Sequence, residues 1–213
     1  MTSSLSSAPL DDRYVVGLDL GQSVDPSAIA VVRRVEPPEE RDRPIFQCGY
    51  LERLPLNTPY PSIVRHVRTL LSKPPLLGCA ELVIDMTGVG RPCFDLFESV
   101  GVDVTGVTIT GGDGQTWEGG SYRVSKLILV SRLQALLHDG RLKIQKTLPE
   151  APALVQELQD FRAEVSDLGN WRFGARSGKH DDLVLALAIA VWRAYGGQPG
   201  QGYLDYYRHL ETA

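Results

Sequence analysis

Residues 182–195, DLVLALAIAVWRAY, are apolar on every side of a helix. A helix with no polar face belongs inside a domain rather than on its surface, so the rest of the chain must supply what covers it. The polar stretch Gly174 to Lys179 leads into it, and Asp181 and Asp182 open it. Charge therefore enters at the mouth of a buried element.

The covering layer is written at the other end of the chain. Tyr14 to Leu18 is an apolar run followed by Asp19, Gly21 to Pro26 is a turn cluster, and Ile29 to Val32 is a β-branched return. This reads as strand, turn and returning strand. Ile45 to Leu51 suits a third strand, so the first fifty residues form an antiparallel meander. Ile63, Val64, Val67, Leu70 and Leu71 repeat at helical spacing until Lys73-Pro74-Pro75. Glu81 to Asp85 is a short strand ending in an acid, and Pro92 sits early in a helix carrying Phe94, Leu96 and Phe97. Val102 to Ile109 is a further strand. From there the alternation of strand and helix favours parallel pairing.

Thr110 to Ser121 reads as a glycine-rich loop around Trp117, and Tyr122 to His138 as one long helix capped by Gly140. Leu142 to Ile144 is a small strand. Leu154, Leu158, Phe161 and Val165 mark an amphipathic helix, and Trp171, Phe173 and Ala175 alternate as in a strand. The expected organisation is a disordered leader over 1–12, one α/β domain over 13–195, and a tail over 196–213.

Asp19, placed inside the first strand, Asp85 at the end of the fourth, and the Asp181–Asp182 pair stand in comparable situations. Taken singly, each has an ordinary role: capping a turn, ending a strand, or capping a helix. If strands one and four are neighbours and the last helix crosses them, however, the acids converge. Clustered carboxylates repel one another and protonate unless cations lie between them. Mg²⁺ or Mn²⁺ are the natural occupants, and two such ions suit phosphodiester hydrolysis.

Asp19 in GLDLG, Asp85 in LVIDMTGVG and Asp181-Asp182 in GKHDDLVLALAIA resemble the nuclease domain of phage large terminases, within the ribonuclease H-like superfamily. The order of elements agrees over about Tyr14 to Tyr195, and GKHDDLVLALA is the most specific part. The resemblance implies a mixed sheet, three antiparallel strands followed by parallel ones, flanked by helices. It also implies a metal-dependent DNA endonuclease in which Asp19 bridges two ions, Asp85 holds one, and Asp182 is the main helix ligand with Asp181 in support. Many relatives carry another acid three residues after the pair, where this chain has Leu185.

Lys179 and His180 are candidates for touching a scissile phosphate, Arg123 and Lys126 for the DNA backbone, and Trp117 for stacking on a base. Asp25 is expected to form its turn. The implied partners are double-stranded DNA and a separate packaging ATPase, small terminase or portal, in the cytoplasm of a bacterial host. A net charge of −4 argues against holding DNA through bulk charge alone. No P-loop occurs, because Gly174 to Lys179 is too short and His180 replaces the hydroxyl. The expectation is thus a lone nuclease domain without a motor.

A Holliday-junction resolvase shares this reading of the acids. An actin-like ATPase would use the Gly21–Pro26 turn as a phosphate cradle, and an inactive packaging module would need neither. Cys48, Cys79 and Cys93 fit no zinc site and are expected to be buried, reduced thiols. No run approaches the roughly 20 apolar residues of a membrane span.

Overall fold

A computed structural model describes residues 13–21, 25–37, 39, 43–88, 90–165, 171–175 and 180–196, with 161–165 and 171–175 given by their backbone pairing. The expected leader, Lys179 and the tail beyond Gly196 lie outside these residues. Three antiparallel strands come first: β1 (Arg13–Asp19), β2 (Ala28–Val35) and β3 (Ile45–Arg53). The helix α1 (Tyr60–Leu71) leads to β4 (Ala80–Asp85), which pairs in parallel with β1. Next come α2 (Gly90–Ser99), β5 (Val104–Thr110), β6 (Gln115–Glu118), β7 (Ser121–Ser125), α3 (Lys126–His138) and β8 (Leu142–Ile144). The chain continues through α4 (Ala151–Asp160), β9 (Phe161–Val165), β10 (Trp171–Ala175) and α5 (Asp182–Ala194).

The main sheet has eight strands in the order β6-β7-β5-β4-β1-β2-β3-β8, and β9 and β10 form a separate antiparallel pair. Alternation within the strands sorts the core into two layers. Val15, Val83, Val107 and Val124 face α3 and α5, while Val16, Leu18, Leu82 and Ile84 face α1 and α2. The mixed sheet of antiparallel and parallel strands flanked by helices is the architecture expected from the sequence.

The apolar helix is α5, and from Leu183 to Trp192 it is buried on all sides. Its far end is tied down by polar contacts. Trp192 Nε1 donates to Gln115 Oε1 (2.9 Å), Arg193 Nε to Glu81 Oε1 (2.7 Å), and Arg34 Nη1 to the Ala194 carbonyl (3.1 Å). Its middle lies directly on β1. A Cβ added at Gly17 would stand 2.2 Å from the Ala186 carbonyl oxygen and 2.9 Å from the Ala190 Cβ.

Four expectations are corrected. Residues 122–125 are strand rather than helix, because Tyr122 and Val124 each pair with β5 on one side and β6 on the other. Gly119 and Gly120, at φ of 59° and 80°, close the β6–β7 hairpin with the paired left-handed turn that suits a two-residue connection. The helix then starts at Lys126, where Ser125 caps it by accepting from the Ile128 N–H at 3.1 Å. The helix through Leu154 ends at Asp160, so Phe161 and Val165 fall in β9 and pair with β10. Asp19 is the last residue of β1 rather than an interior one. Cys48 and Cys93 are buried, as expected, but Cys79 is exposed. Among the described residues no helix is long and apolar enough to cross a membrane.

Candidate metal centre

The register of β1 and β4 pairs Leu18 with Ile84. One further step along both parallel strands brings Asp19 and Asp85 to the same end of these two central strands. Period-two alternation puts Asp19 on the face of Gly17, and Asp85 on the face of Val83, which is the face that α5 covers. The helix starts at that end of the strands, so Asp182 enters as its first residue, with its side chain only 3% exposed. The condition set on the fold is thus met: β1 and β4 are neighbours, and α5 packs across them.

Burial and mutual repulsion act on the protonation of these acids. Burial, followed by the charges of Asp85, Asp181 and Asp182, pushes the Asp19 carboxyl well above the usual carboxylate range, with Lys126 opposing. Burial also raises Asp85. Hydrogen bonds from Thr87, including its backbone N–H at 2.7 Å, and from the Ile109 N–H pull in the other direction, as does Lys126.

The neighbours Asp181 and Asp182 are not equivalent. Asp181 occupies the N-cap position of α5 but makes no capping hydrogen bond, and it is a quarter exposed. Its Oδ2 accepts instead from Lys126 Nζ at 2.8 Å. Asp182 is buried, and its Oδ2 accepts from Arg53 Nε at 2.6 Å. Asp182 Oδ1 has no hydrogen-bond partner among the described residues, and His180 Nδ1 is 3.8 Å away. A buried carboxylate oxygen without a partner is costly, and a hard cation among oxygen donors removes that cost. The donor set therefore fits Mg²⁺ or Mn²⁺, although among the described residues no three His, Cys, Asp or Glu side chains stand together as a ready-made metal cage. Arg53 and Lys126 each hold one of the acids.

The secondary candidates separate. Lys126 pairs with Asp181, its side chain 22% exposed. Arg123 is exposed on β7, outside the helix expected to carry it. His180 is exposed, with Nδ1 3.2 Å from Asp25 Oδ1. Trp117 is half-exposed and packs edge-on against Tyr122 with ring centroids 4.4 Å apart. Leu185 is buried in α5. Arg53 and Glu157 were not among the residues singled out from the sequence. Glu157 did carry a signal, because it falls three residues after Leu154 on the apolar stripe of α4, where a lone acid needs a partner.

Carboxylates at the ends of two central parallel strands, met by the start of a buried helix on this mixed sheet, form the arrangement that a ribonuclease H-like fold presents. The particular resemblance is to the large subunit of phage terminases. Over 190 residues the chain is 26% identical to the terminase large subunit of Thermus phage G20c, covering 89% of this chain and 33% of that protein. The terminase large subunit of Thermus virus P23-45 matches to the same extent. The chain thus spans about a third of the length of these relatives. The large terminase nuclease from thermophilic phage G20c superposes with a TM-score of 0.63 at 23% identity, over 87% of this chain and 83% of that one. Its magnesium-bound form gives 0.62 at 24%, over 85% and 82%. The manganese-bound nuclease domain of the bacteriophage SPP1 large terminase gives 0.54 at 14%, over 85% and 86%. No protein-family model matches the chain.

Proposed function

We propose that this chain is a metal-dependent DNA endonuclease of the phage terminase type, acting on double-stranded DNA during packaging. The observation that supports the reading is that Asp19 and Asp85 close the paired central strands β1 and β4 at the same end, with the buried Asp182 Oδ1 at the start of α5 left without a partner among the described residues. Support comes from the relatives, whose nuclease domains are described with magnesium and manganese bound. Asp19 would be shared by two ions, Asp85 and Asp182 would each hold one, and Asp181 would assist. When bound, the ions activate water and stabilise the leaving oxygen of a phosphodiester. Lys126 moderates the repulsion among the acids, and the buried faces of β1, β4 and α5 keep their spacing fixed. A packaging ATPase, small terminase or portal would be the partner, in the host cytoplasm.

Supercoiled plasmid should be nicked in Mg²⁺ or Mn²⁺ and left intact in excess chelator. Asp182→Asn should reduce nicking at least about a hundredfold, the lower end for losing a group that acts on transition-state charge. Asp181→Asn, which removes a partly exposed partner of Lys126, should cost less than about tenfold. A larger loss from Asp181→Asn than from Asp182→Asn would reverse their roles, and no nicking with either metal would sink the reading. Calorimetric titration with Mn²⁺ should give a stoichiometry of two; a value of one would remove the second ion.

A further inference from the structure

Asp182 is held by a device that spans three elements. Arg53 ends β3, Glu157 lies on α4, and Asp182 begins α5. The guanidinium of Arg53 reaches Asp182 Oδ2 through Nε and pairs with Glu157 through Nη2, while Nη1 lies 3.9 Å from Glu150 Oε2. Both acids are almost fully buried, with side chains 3% and 6% exposed. The other oxygen of Glu157, Oε2, accepts the Val184 N–H at 3.0 Å. That N–H lies in the first turn of α5, where donors lack partners within the helix. Glu157 thus caps α5 from a neighbouring helix, at an end where the side chain of Asp181 makes no cap bond.

A plain buried ion pair is weak evidence for anything beyond packing, and such a pair is best satisfied when both carboxylate oxygens are engaged. Here the planar fork of Arg53 engages one oxygen of Asp182 and leaves the other buried without a partner among the described residues. Left alone, Arg53 would also repel a dication bound at Asp182. Glu157 supplies the negative charge that offsets it.

We propose that Arg53 and Glu157 are positioning residues: together they fix the Asp182 carboxylate with Oδ1 presented to a divalent cation, and Glu157 cancels the charge that Arg53 brings. The proposal rests on the metal-dependent reading above. Supporting groups behind a metal ligand typically contribute 10- to 100-fold in affinity. Positioning and bulk electrostatics predict opposite signs for one variant. Arg53→Gln removes a positive charge, so electrostatics alone predicts tighter Mn²⁺ binding, whereas loss of positioning predicts weaker binding.

The experiment is calorimetric titration of Mn²⁺ into the full chain and its variants, with folding checked by circular dichroism. Arg53→Gln is expected to weaken Mn²⁺ about tenfold, and unchanged or tighter binding would overturn the proposal. If Arg53→Gln does not fold, Arg53→Lys decides the matter. It keeps the charge but not the fork, so weaker binding supports positioning and unchanged binding refutes it. Glu157→Gln keeps an oxygen for the Val184 N–H but leaves Arg53 unbalanced, and is expected to weaken Mn²⁺ by a similar factor; equal affinity would remove Glu157 from the pair. If the wild-type chain takes up no Mn²⁺, the metal-dependent reading fails first and this proposal goes with it. Wild-type uptake with indifferent variants defeats the proposal alone.

Discussion

Asp19→Asn should abolish cleavage and at the same time make the metal-free protein more stable. The activity side follows from position. Asp85, Asp181 and Asp182 all disturb the protonation of Asp19, and the proposed function makes Asp19 the ligand shared by the ions. Losing the several kcal/mol of charge stabilisation that a correctly held ion supplies corresponds to at least about a thousandfold in rate. The stability side follows from the direction of its titration. Burial and the three neighbouring acids raise the folded-state pKa of Asp19 above its unfolded value of about 3.9. The folded state therefore holds that proton more tightly than the unfolded chain. The resulting stabilisation is complete below about pH 3.9 and is lost as pH rises through the raised folded value. At neutral pH, without metal, Asp19 is a liability that asparagine removes, and melting should rise by about 2–4 °C for each kcal/mol recovered. Saturating Mn²⁺ should reverse the order, because an ion that binds only the folded wild-type protein stabilises it by mass action. Melting curves with chelator and with Mn²⁺ test both halves. A variant less stable than wild type in chelator would show that Asp19 is held by structural partners instead.

The same acids explain how much could be read before the fold was known. Asp19, Asp85 and Asp182 were legible because each ends or begins an apolar run, and an acid there needs a reason. The meander and α5 were legible because their apolar patterns are long and uninterrupted. The strand β7 was missed for a physical reason: Tyr122 and Val124 run straight into the helical pattern of Leu129 and Leu133. Only the pairing to β5 and β6 distinguishes the two, and that pairing is tertiary. The end of α4 was missed in the same way, since Phe161 and Val165 continue its helical stripe while also alternating with Ala163 in β9. Arg53 carried no local signal. Its partner Asp182 is 129 residues away, and an arginine at the end of a strand is ordinary until the fold brings the two together. Lys126 was legible as a cation but not as a member of the acid cluster, because its contact with Asp181 spans 55 residues.

Gly17→Ala should be among the most damaging single-methyl changes available in this chain. The added Cβ would lie 2.2 Å from the Ala186 carbonyl oxygen, 2.9 Å from the Ala190 Cβ and 3.1 Å from the Ala190 nitrogen. Two of these three atoms are backbone, so no side chain can turn away to make room. The helix itself must rise from the sheet, yet α5 is enclosed on every side and has little room to move. Overpacking of this kind costs typically 1–3 kcal/mol and sometimes more, and here about 3 kcal/mol or above is expected, a fall of roughly 6–12 °C in melting temperature. The matched control is Gly49→Ala on β3. A Cβ there meets nothing within 4 Å, so its effect should stay within about 1 kcal/mol of zero, with the entropy that a strand glycine loses working in its favour. Displacing α5 also carries Asp182 away from Asp19 and Asp85, because the first of these rides on the helix and the other two on the strands beneath it. Gly17→Ala should consequently weaken Mn²⁺ binding even at temperatures where it remains folded, whereas Gly49→Ala should not. Equal melting temperatures for the two variants would contradict the close seating of α5 on β1, and a destabilised Gly17→Ala with wild-type Mn²⁺ affinity would separate the packing of the helix from the geometry of the acids.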